Sequence, residues 1–162
     1  MKQFLKLTAL FLFAQLCQLQ AQTSGRPDAG RKTWDLTASF NPAVNLRDAG
    51  LSLGADIRVE RRLTDLLGAT FSAGFTSVSR DKFIGIADQN IIPLKIGAKI
   101  YATSKYYLAG DIGLAIDING NSNTAWSVIL AKQLNNRFDI GIKYDDYAYP
   151  NLLGLRLGYR LF

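Results

Sequence analysis

Three pairs of carboxylates are the side chains of this sequence best placed to do chemistry. Each pair lies within one short segment, and together they are Asp56 and Glu60, Asp111 and Asp117, and Asp145 and Asp146. Paired carboxylates can serve an enzyme as general acid and general base. The adjacent pair, which precedes Tyr147 and Tyr149, could also offer oxygen ligands to Ca²⁺.

The groups that would complete such a site are missing from the sequence. The chain has no histidine, which is the usual base that activates a serine or a water in barrel enzymes. Its one cysteine, Cys17, lies in a segment that we expect to be removed, so the mature chain would have no thiol. Two adjacent acids are a weak signal for Ca²⁺. We therefore predict no catalytic residue, no cofactor and no metal, and interpret the carboxylates as ion-pair partners and loop acids.

The first 21 residues have the composition of a secretory signal peptide. A basic start precedes an apolar core from Leu7 to Ala14, and the small residue Ala21 marks the expected cleavage site. The core is shorter than the roughly 17–25 residues that a membrane-spanning helix needs. Residues 22–32 are small and polar and predict a flexible leader. Removing two lysines with the signal lowers the net charge from +6 to +4, and no run of bases indicates nucleic-acid binding.

A two-residue alternation of apolar and polar side chains follows the leader and recurs eight times, which predicts eight β-strands. The predicted strands are 33–40, 51–60, 67–76, 91–101, 107–118, 125–133, 138–145 and 152–162. Long connections alternate with short ones: the long ones are 41–50, 77–90, 119–124 and 146–151, and the short ones are 61–66, 102–106 and 134–137. The sequence therefore predicts an all-β fold, an eight-stranded antiparallel up-and-down transmembrane β-barrel over residues 33–162, with both termini in the periplasm.

The two faces of the predicted strands differ in charge. One face is apolar and uncharged, as a surface against lipid must be, whereas the other carries eight glycines and thirteen charged residues. An eight-stranded barrel is only just wide enough for side chains to fill it, so we predict a plugged polar lumen with a structural ion-pair network. The predicted network comprises Asp35, Asp56, Arg58, Glu60, Lys95, Lys99, Asp111, Asp117, Asp139, Lys143, Arg156 and Arg160, and Asp145 shares its face. A soluble barrel such as a lipocalin, with the apolar face inside, is the alternative.

Aromatic residues group at the ends of the predicted strands. At the end with short connections, here called the turn end, they are Trp34, Tyr101, Tyr106, Tyr107, Phe138, Tyr159 and Phe162. At the end with long connections, the loop end, they are Phe40, Phe75, Trp126, Tyr144, Tyr147 and Tyr149. Two such groups with an aliphatic band between them predict aromatic belts at the two membrane interfaces.

Two segments carry a resemblance to a known family: the terminal LRLGYRLF and YYLAGDIGLAIDING at Tyr106–Gly120. With these segments the chain resembles small eight-stranded outer-membrane barrels of the outer membrane protein A and X type, and most of all the compact barrels of Bacteroidetes. The resemblance implies insertion into the outer membrane by the barrel-assembly machinery. One departure is that Leu161, and not the final Phe162, is in phase with the lipid-facing residues.

The expected function is that of a non-enzymatic integral outer-membrane barrel with a structural, surface-interaction or accessory role. Its expected partners are outer-membrane lipid and lipopolysaccharide, with an unidentified protein partner as a further expectation. The residues expected to make loop contacts are Arg80, Lys82, Phe83, Tyr147 and Tyr149. Two alternatives are a small-solute pore, if the lumen charges leave a path for water, and a barrel enzyme that modifies envelope lipid.

Overall fold

Eight antiparallel strands make up most of the chain that the computed structural model describes, which is residues 34–47, 50–79, 89–118 and 120–161. The strands are β1 (Trp34–Asn45), β2 (Leu51–Arg62), β3 (Leu67–Val78), β4 (Gln89–Tyr101), β5 (Tyr106–Asp117), β6 (Ser122–Gln133), β7 (Phe138–Asp146) and β8 (Asn151–Arg160). The predicted signal peptide and leader lie outside the described residues, as does Phe162. In the part of the chain described, no helix is long and apolar enough to cross a membrane.

Each strand pairs with the next, and β8 pairs with β1, so the sheet closes into a barrel with up-and-down topology. The strands are staggered as they go around the barrel. A path that starts at Asp35 and passes from each residue to its partner on the next strand returns to β1 at Asn45, ten residues further along the chain. The residues passed on the way are Glu60, Thr70, Gly97, Asp111, Ser127, Asp145 and Leu152. With about 4.8 Å between strands and about 3.3 Å per residue, this stagger gives a strand tilt of about 40° and a radius of about 8 Å.

The predicted fold class and all eight predicted strands are confirmed, although several strands are longer than expected. β1 extends to Asn45 because Asn41–Val44 pairs with Leu51–Gly54 of β2, so the first half of the predicted loop 41–50 is strand. In the same way β6 begins at Ser122, within the predicted loop 119–124. The polar loop-like composition of these segments hid their pairing, which depends on a partner strand and not on local propensity.

Apolar side chains cover the outside of the barrel and charged side chains fill its inside. Ile57, Ile96 and Ile112 each expose more than half of their surface, whereas Arg58, Lys95 and Arg156 are at most 3% exposed. This orientation contradicts the soluble lipocalin-like alternative, in which the apolar face would be buried. An uncharged apolar outer wall over eight tilted strands is the surface that a lipid bilayer solvates.

Two apolar clusters lie inside the lumen, one toward each end. The loop-end cluster comprises Val78, Ile91, Ala115, Ala125, Tyr147 and Leu152. The turn-end cluster comprises Tyr101, Tyr107, Ala109, Ile129 and Ala131. The central charged residues therefore lie between two apolar layers, an arrangement that the alternation of residue types did not reveal.

The three short turns share one hydrogen-bonding device. The second residue of each four-residue turn is Thr64, Thr103 or Asn135, and its side-chain oxygen accepts hydrogen bonds from two backbone N–H groups. In the turn between β6 and β7, for example, Asn135 Oδ1 accepts from Arg137 N and Phe138 N, both at 2.8 Å. Such side chains hold a tight turn because they satisfy amides that the turn cannot pair otherwise.

We expect Asn135→Ala to destabilise the barrel by about 1 kcal/mol, because two amide hydrogen bonds lose their acceptor at a solvated site. The measurement is the free energy of unfolding in urea, with the protein folded in detergent micelles or vesicles. Asn135→Asp, which keeps the acceptor oxygen, is the matched control and should unfold within about 0.5 kcal/mol of the wild type. Equal losses in both variants would contradict this role for the side chain.

Candidate functional site

The twelve residues expected to line the lumen all point into the barrel. Each occupies the inward phase of its strand; ten are buried, and Asp139 and Arg160 are half-buried. Asp145 and Arg62 also point inward. Arg62 was not among the predicted lumen residues, because the predicted second strand ended at residue 60, although the two-residue period continues through Arg62.

The centre of the lumen holds a row of alternating charges. The ammonium of Lys95 lies 2.6 Å from Asp145, and that of Lys143 lies 3.2 Å from the other oxygen of the same carboxylate. Lys143 also reaches Asp56, at 3.0 Å. Since taking an ion out of water costs several kcal/mol unless a partner offsets it, these mutual contacts are the condition for burying the charges.

Arg156 extends this row toward the turn end. Its Nη1 donates to Ser39 Oγ at 2.7 Å and lies 3.3 Å from Asp56, while its Nε lies 3.4 Å from Asp139. The Tyr107 hydroxyl donates to the same Asp139 carboxylate at 3.0 Å. One fully buried guanidinium thus joins three polar residues from three strands.

The Asp139 carboxylate occupies space that only a glycine opposite leaves open. A Cβ placed on Gly158, its partner in β8, would lie 2.6 Å from both oxygens of that carboxylate. Such a distance is far below van der Waals contact, so the absence of a side chain at this position is what admits the acid. Inward glycines therefore make room for long charged side chains, as their number on this face indicated.

A second group centres on Asp111. Arg58 Nη2 lies 2.6 Å from Asp111 Oδ2, and the carboxylate also accepts hydrogen bonds from Thr70 at 3.0 Å and Ser127 at 3.1 Å. These three donors come from three different strands, β2, β3 and β6. Three donors occupy most of the roughly four acceptor sites of a carboxylate, so Asp111 is held firmly by its neighbours in the lumen.

A third group, toward the turn end, centres on Glu60, whose carboxylate is shared by two neighbours. Lys99 Nζ lies 2.8 Å from Glu60, and the Tyr101 hydroxyl donates a short hydrogen bond to the other oxygen. The Lys99 ammonium also lies 4.0 Å from the centroid of the Tyr107 ring. Contact with an aromatic face adds favourable energy for a desolvated cation.

The two ends of the lumen hold looser pairs. At the turn end, Asp35 lies 3.9 Å from Arg62 and 4.0 Å from Arg160. At the loop end, Asp117 accepts a hydrogen bond of 2.8 Å from Gln89. These groups are nearer to solvent, where ion pairs contribute little to stability.

Three tyrosines assigned to the aromatic belts point into the lumen instead. Tyr101 and Tyr107 are 2% exposed and Tyr147 is fully buried. Tyr101 and Tyr107 are paired across β4 and β5 in the same phase as Lys99, so the belt assignment for these two was wrong. Because both hydroxyls reach carboxylates, these rings can close the lumen without leaving a buried donor unpaired.

Among the predicted loop contacts, the structure describes only two. Tyr147 cannot contact an external partner because it is fully buried, with the Lys95 ammonium 5.2 Å from its ring centroid, so this prediction was wrong. Burial raises the pKa of the Tyr147 hydroxyl well above its usual value. Tyr149 is half-buried beneath the Arg47 guanidinium, 5.1 Å from its ring centroid. Arg80, Lys82 and Phe83 lie outside the described residues.

The carboxylate pairs of the sequence do not act as pairs in the structure. Asp145 points into the lumen toward two lysines, while Asp146 accepts a hydrogen bond from the Ala148 amide at 2.8 Å. Asp56 and Glu60 contact different cations. Within the residues that the structure describes, no group of three or more acidic, histidine or cysteine side chains could hold a metal. The arrangement supports packing of the lumen and offers no geometry for acid–base chemistry.

A closed barrel of eight antiparallel strands, apolar outside and ionic inside, defines this chain as a transmembrane β-barrel in fold. A de novo designed transmembrane β-barrel matches with a TM-score of 0.58 and 8% identity, over 78% of this chain and 95% of that one. The outer membrane protein Ail of Yersinia pestis, in a phospholipid bilayer nanodisc, matches with a TM-score of 0.55 and 12% identity, over 80% of this chain and 100% of Ail.

A crystal structure of Ail in complex with the heparin analogue sucrose octasulfate gives a TM-score of 0.52 at 14% identity, over 79% of this chain and 97% of Ail. No protein-family model and no curated protein sequence matches the chain. At these identities the similarity concerns the fold.

We expect Asp56→Ala to destabilise the barrel by about 3 kcal/mol, because Lys143 and Arg156 each lose a partner at a buried site. The free energy of unfolding in urea, measured in vesicles, tests this. Asp65→Asn removes an acid from the exposed turn between β2 and β3 and is the matched control, with an expected change within about 0.5 kcal/mol. A loss at Asp56 no larger than that of the control would show that the lumen pairs do not stabilise the fold.

Proposed function

We propose that this protein is an integral outer-membrane β-barrel with a plugged polar lumen, non-enzymatic, with a structural or surface-interaction role through its loop end. The observation that carries the proposal is the pairing inside the lumen. Its central cations, Lys95, Lys143 and Arg156, each lie within 3.4 Å of a carboxylate and are at most 5% exposed. Charges held this way fill the barrel and support its shape.

The two apolar clusters support the plugged lumen. Tyr147 and Leu152 close the loop end and Tyr101 and Tyr107 close the turn end, each at most 2% exposed. A hydrated ion that entered the barrel would have to pass both layers and break the ion pairs between them. This is the reason for placing the plugged barrel ahead of a pore.

A small-solute pore remains the second candidate because the lumen is not completely packed. A small cavity at the loop end is lined by polar groups that include Asn41, Ser52, Thr76, Lys143 and Asp145. Polar walls of this kind favour water over an empty space. A chain of such waters is what conduction would need.

The proposed location follows from the fold and from the N-terminal sequence. An apolar outer wall needs a bilayer, and a secretory signal over residues 1–21 would deliver the chain across the inner membrane. In this proposal the barrel-assembly machinery inserts the chain, with residues 22–32 as a leader, and outer-membrane lipid and lipopolysaccharide surround it. Membership of the outer membrane protein A and X type, in its Bacteroidetes form, is part of the same proposal.

The proposed surface role rests on the loop end, where Arg47 is exposed and stacks on Tyr149. Ail, which shares the fold, was crystallised with the heparin analogue sucrose octasulfate. By analogy, an anionic surface component is the class of loop partner that we propose to test first. An enzymatic role has no support in the lumen, because its carboxylates are engaged by cations and hydroxyls.

We expect the wild-type protein, reconstituted in planar bilayers, to give no stable conductance steps. The double variant Tyr147→Ala with Arg156→Ala should conduct, because it removes the loop-end ring and the guanidinium that crosses the centre. The matched control is Tyr144→Ala with Arg156→Ala, because Tyr144 stacks on Trp126 on the outer face, so removing its ring leaves the loop-end layer intact. Stable conductance steps from the wild-type protein would contradict the plugged lumen and support the pore.

In a Gram-negative host we expect the full-length chain in the outer-membrane fraction, with gel mobility that shifts on boiling, because a closed barrel resists detergent until heated. Mass spectrometry of the mature protein should give an N-terminus near Gln22. A variant without residues 1–21 should stay in the cytoplasm. Recovery of the full-length chain in the soluble fraction would reject the proposed location.

A further inference from the structure

The outer surface of the turn end carries three pairs of an aromatic ring and a base, two of them across neighbouring strands and one from a turn to a strand. Arg61 stacks on Trp34 at 5.3 Å from the ring centroid, and Lys132 stacks on Tyr106 at 5.5 Å. The third pair is Arg137, whose Nη1 donates to the Tyr159 hydroxyl at 3.3 Å. Tyr159 itself packs on Phe138, with ring centroids 4.9 Å apart. We call these seven residues the turn-end belt.

The turn-end belt is basic because acids near it face away from lipid. Asp35, Glu60 and Asp139 point into the lumen, where each lies within 4.0 Å of a cation. Asp65 lies in the exposed turn between β2 and β3. The outer face of the turn end therefore presents three bases, and none of these acids lies among the seven residues of the belt.

The aromatic belt at the loop end is built differently. Its outward rings belong to Phe40, Phe75, Trp126 and Tyr144, of which the last two stack at 5.1 Å. No lysine or arginine of the described chain stacks on these four rings; Arg47 stacks on Tyr149, in the loop beyond them. Among the described residues, the two belts thus share their aromatic content, and bases stack on the rings of the turn-end belt alone.

We propose that the turn-end belt binds the phosphate groups of anionic phospholipids in the leaflet that contains the turns. This inference rests on the proposed function, since the strands must cross a bilayer. Amphipathic rings lie at headgroup depth, and long basic side chains place their charges in the phosphate layer. Stacking holds Arg61 and Lys132 against the wall at this depth, and a hydrogen bond to Tyr159 holds Arg137. These side chains therefore lose little conformational entropy when they bind a lipid phosphate. The three pairs lie on three separate seams of the wall, β1–β2, β5–β6 and β7–β8, so more than one lipid can be held.

The chain supplies its own pair of reporters, because its two tryptophans are Trp34 in the turn-end belt and Trp126 in the loop-end belt. Trp126→Phe leaves only Trp34 fluorescent, and Trp34→Phe leaves only Trp126. Each variant is folded into vesicles of phosphatidylcholine and phosphatidylglycerol in which one of the two lipids carries bromine on its acyl chains. Bromine quenches tryptophan on contact, so the ratio of quenching measures the preference for the anionic lipid at each belt.

We expect Trp34 to show a preference for phosphatidylglycerol of about three- to fivefold, since each base near an anionic surface contributes about that factor, whereas Trp126 shows about none. Arg61→Gln in the Trp34 reporter should abolish the preference and Arg61→Lys should retain it. Arg47→Gln, which removes a base at the loop end, should leave it unchanged. Equal lipid composition at the two tryptophans, or a preference that survives Arg61→Gln, would overturn the inference.

Failure of the inference and failure of the proposed function give different results. A barrel that does not insert would leave both tryptophans unquenched by brominated phosphatidylcholine, which contradicts the proposed function. A barrel that inserts would show quenching of both tryptophans by that lipid and a mobility shift on boiling. In such a barrel, the absence of a preference at Trp34 rejects the anionic-lipid site alone.

Discussion

The burial of charge inside a narrow closed wall is the constraint on which the rest of this structure depends. Eight strands staggered by ten residues enclose a space about 8 Å in radius, measured to the backbone, that side chains nearly fill. Lipid hydrocarbon solvates the middle of such a wall on its outside, so charged side chains there have to point inward, and the outward bases Arg61 and Lys132 lie at the turn end. Once inside, a charge without a partner would cost several kcal/mol, which makes the ion pairs a condition of folding.

That constraint explains the composition of the inner face. Long bases such as Arg156 need space across the lumen, and glycines such as Gly158 provide it where an acid lies opposite. Hydroxyls of Ser39, Thr70 and Ser127 satisfy the donors and acceptors that the cations leave. The tyrosines then close the two ends, because their rings exclude water while two of their hydroxyls still reach carboxylates.

The outer face follows a different rule, because its surroundings change along the membrane normal from hydrocarbon in the middle to headgroups at both interfaces. The middle of the wall is aliphatic and uncharged, and aromatic rings appear toward both interfaces. Only at the turn end do bases stack on those rings within the described chain, at Trp34 and Tyr106. Alternate residues of the same strand therefore meet different requirements: inward residues must pair their charges, and outward residues must suit the lipid at their depth.

The eight strands, their antiparallel order and the inward direction of most charged residues could be predicted from the sequence. This was possible because a two-residue period is local, and because an uncharged face is needed wherever a strand meets lipid. The sequence also indicated that acids and bases on the inner face were near balance, which favoured pairing over an open channel.

Which acid contacts which base could not be predicted in this way, because it depends on how the strands close into the barrel. Arg156 and Asp56 are 100 residues apart in sequence, and Lys95 and Asp145 are 50 apart, so no local pattern relates them. Their contact depends on the stagger with which the barrel closes, since that sets the height of each residue on the wall. Tyr101 and Tyr107 take their inward direction from the two-residue period of β4 and β5, which is local. Tyr147 lies in the loop after β7, where no such period applies, so its inward direction depends on the fold as a whole.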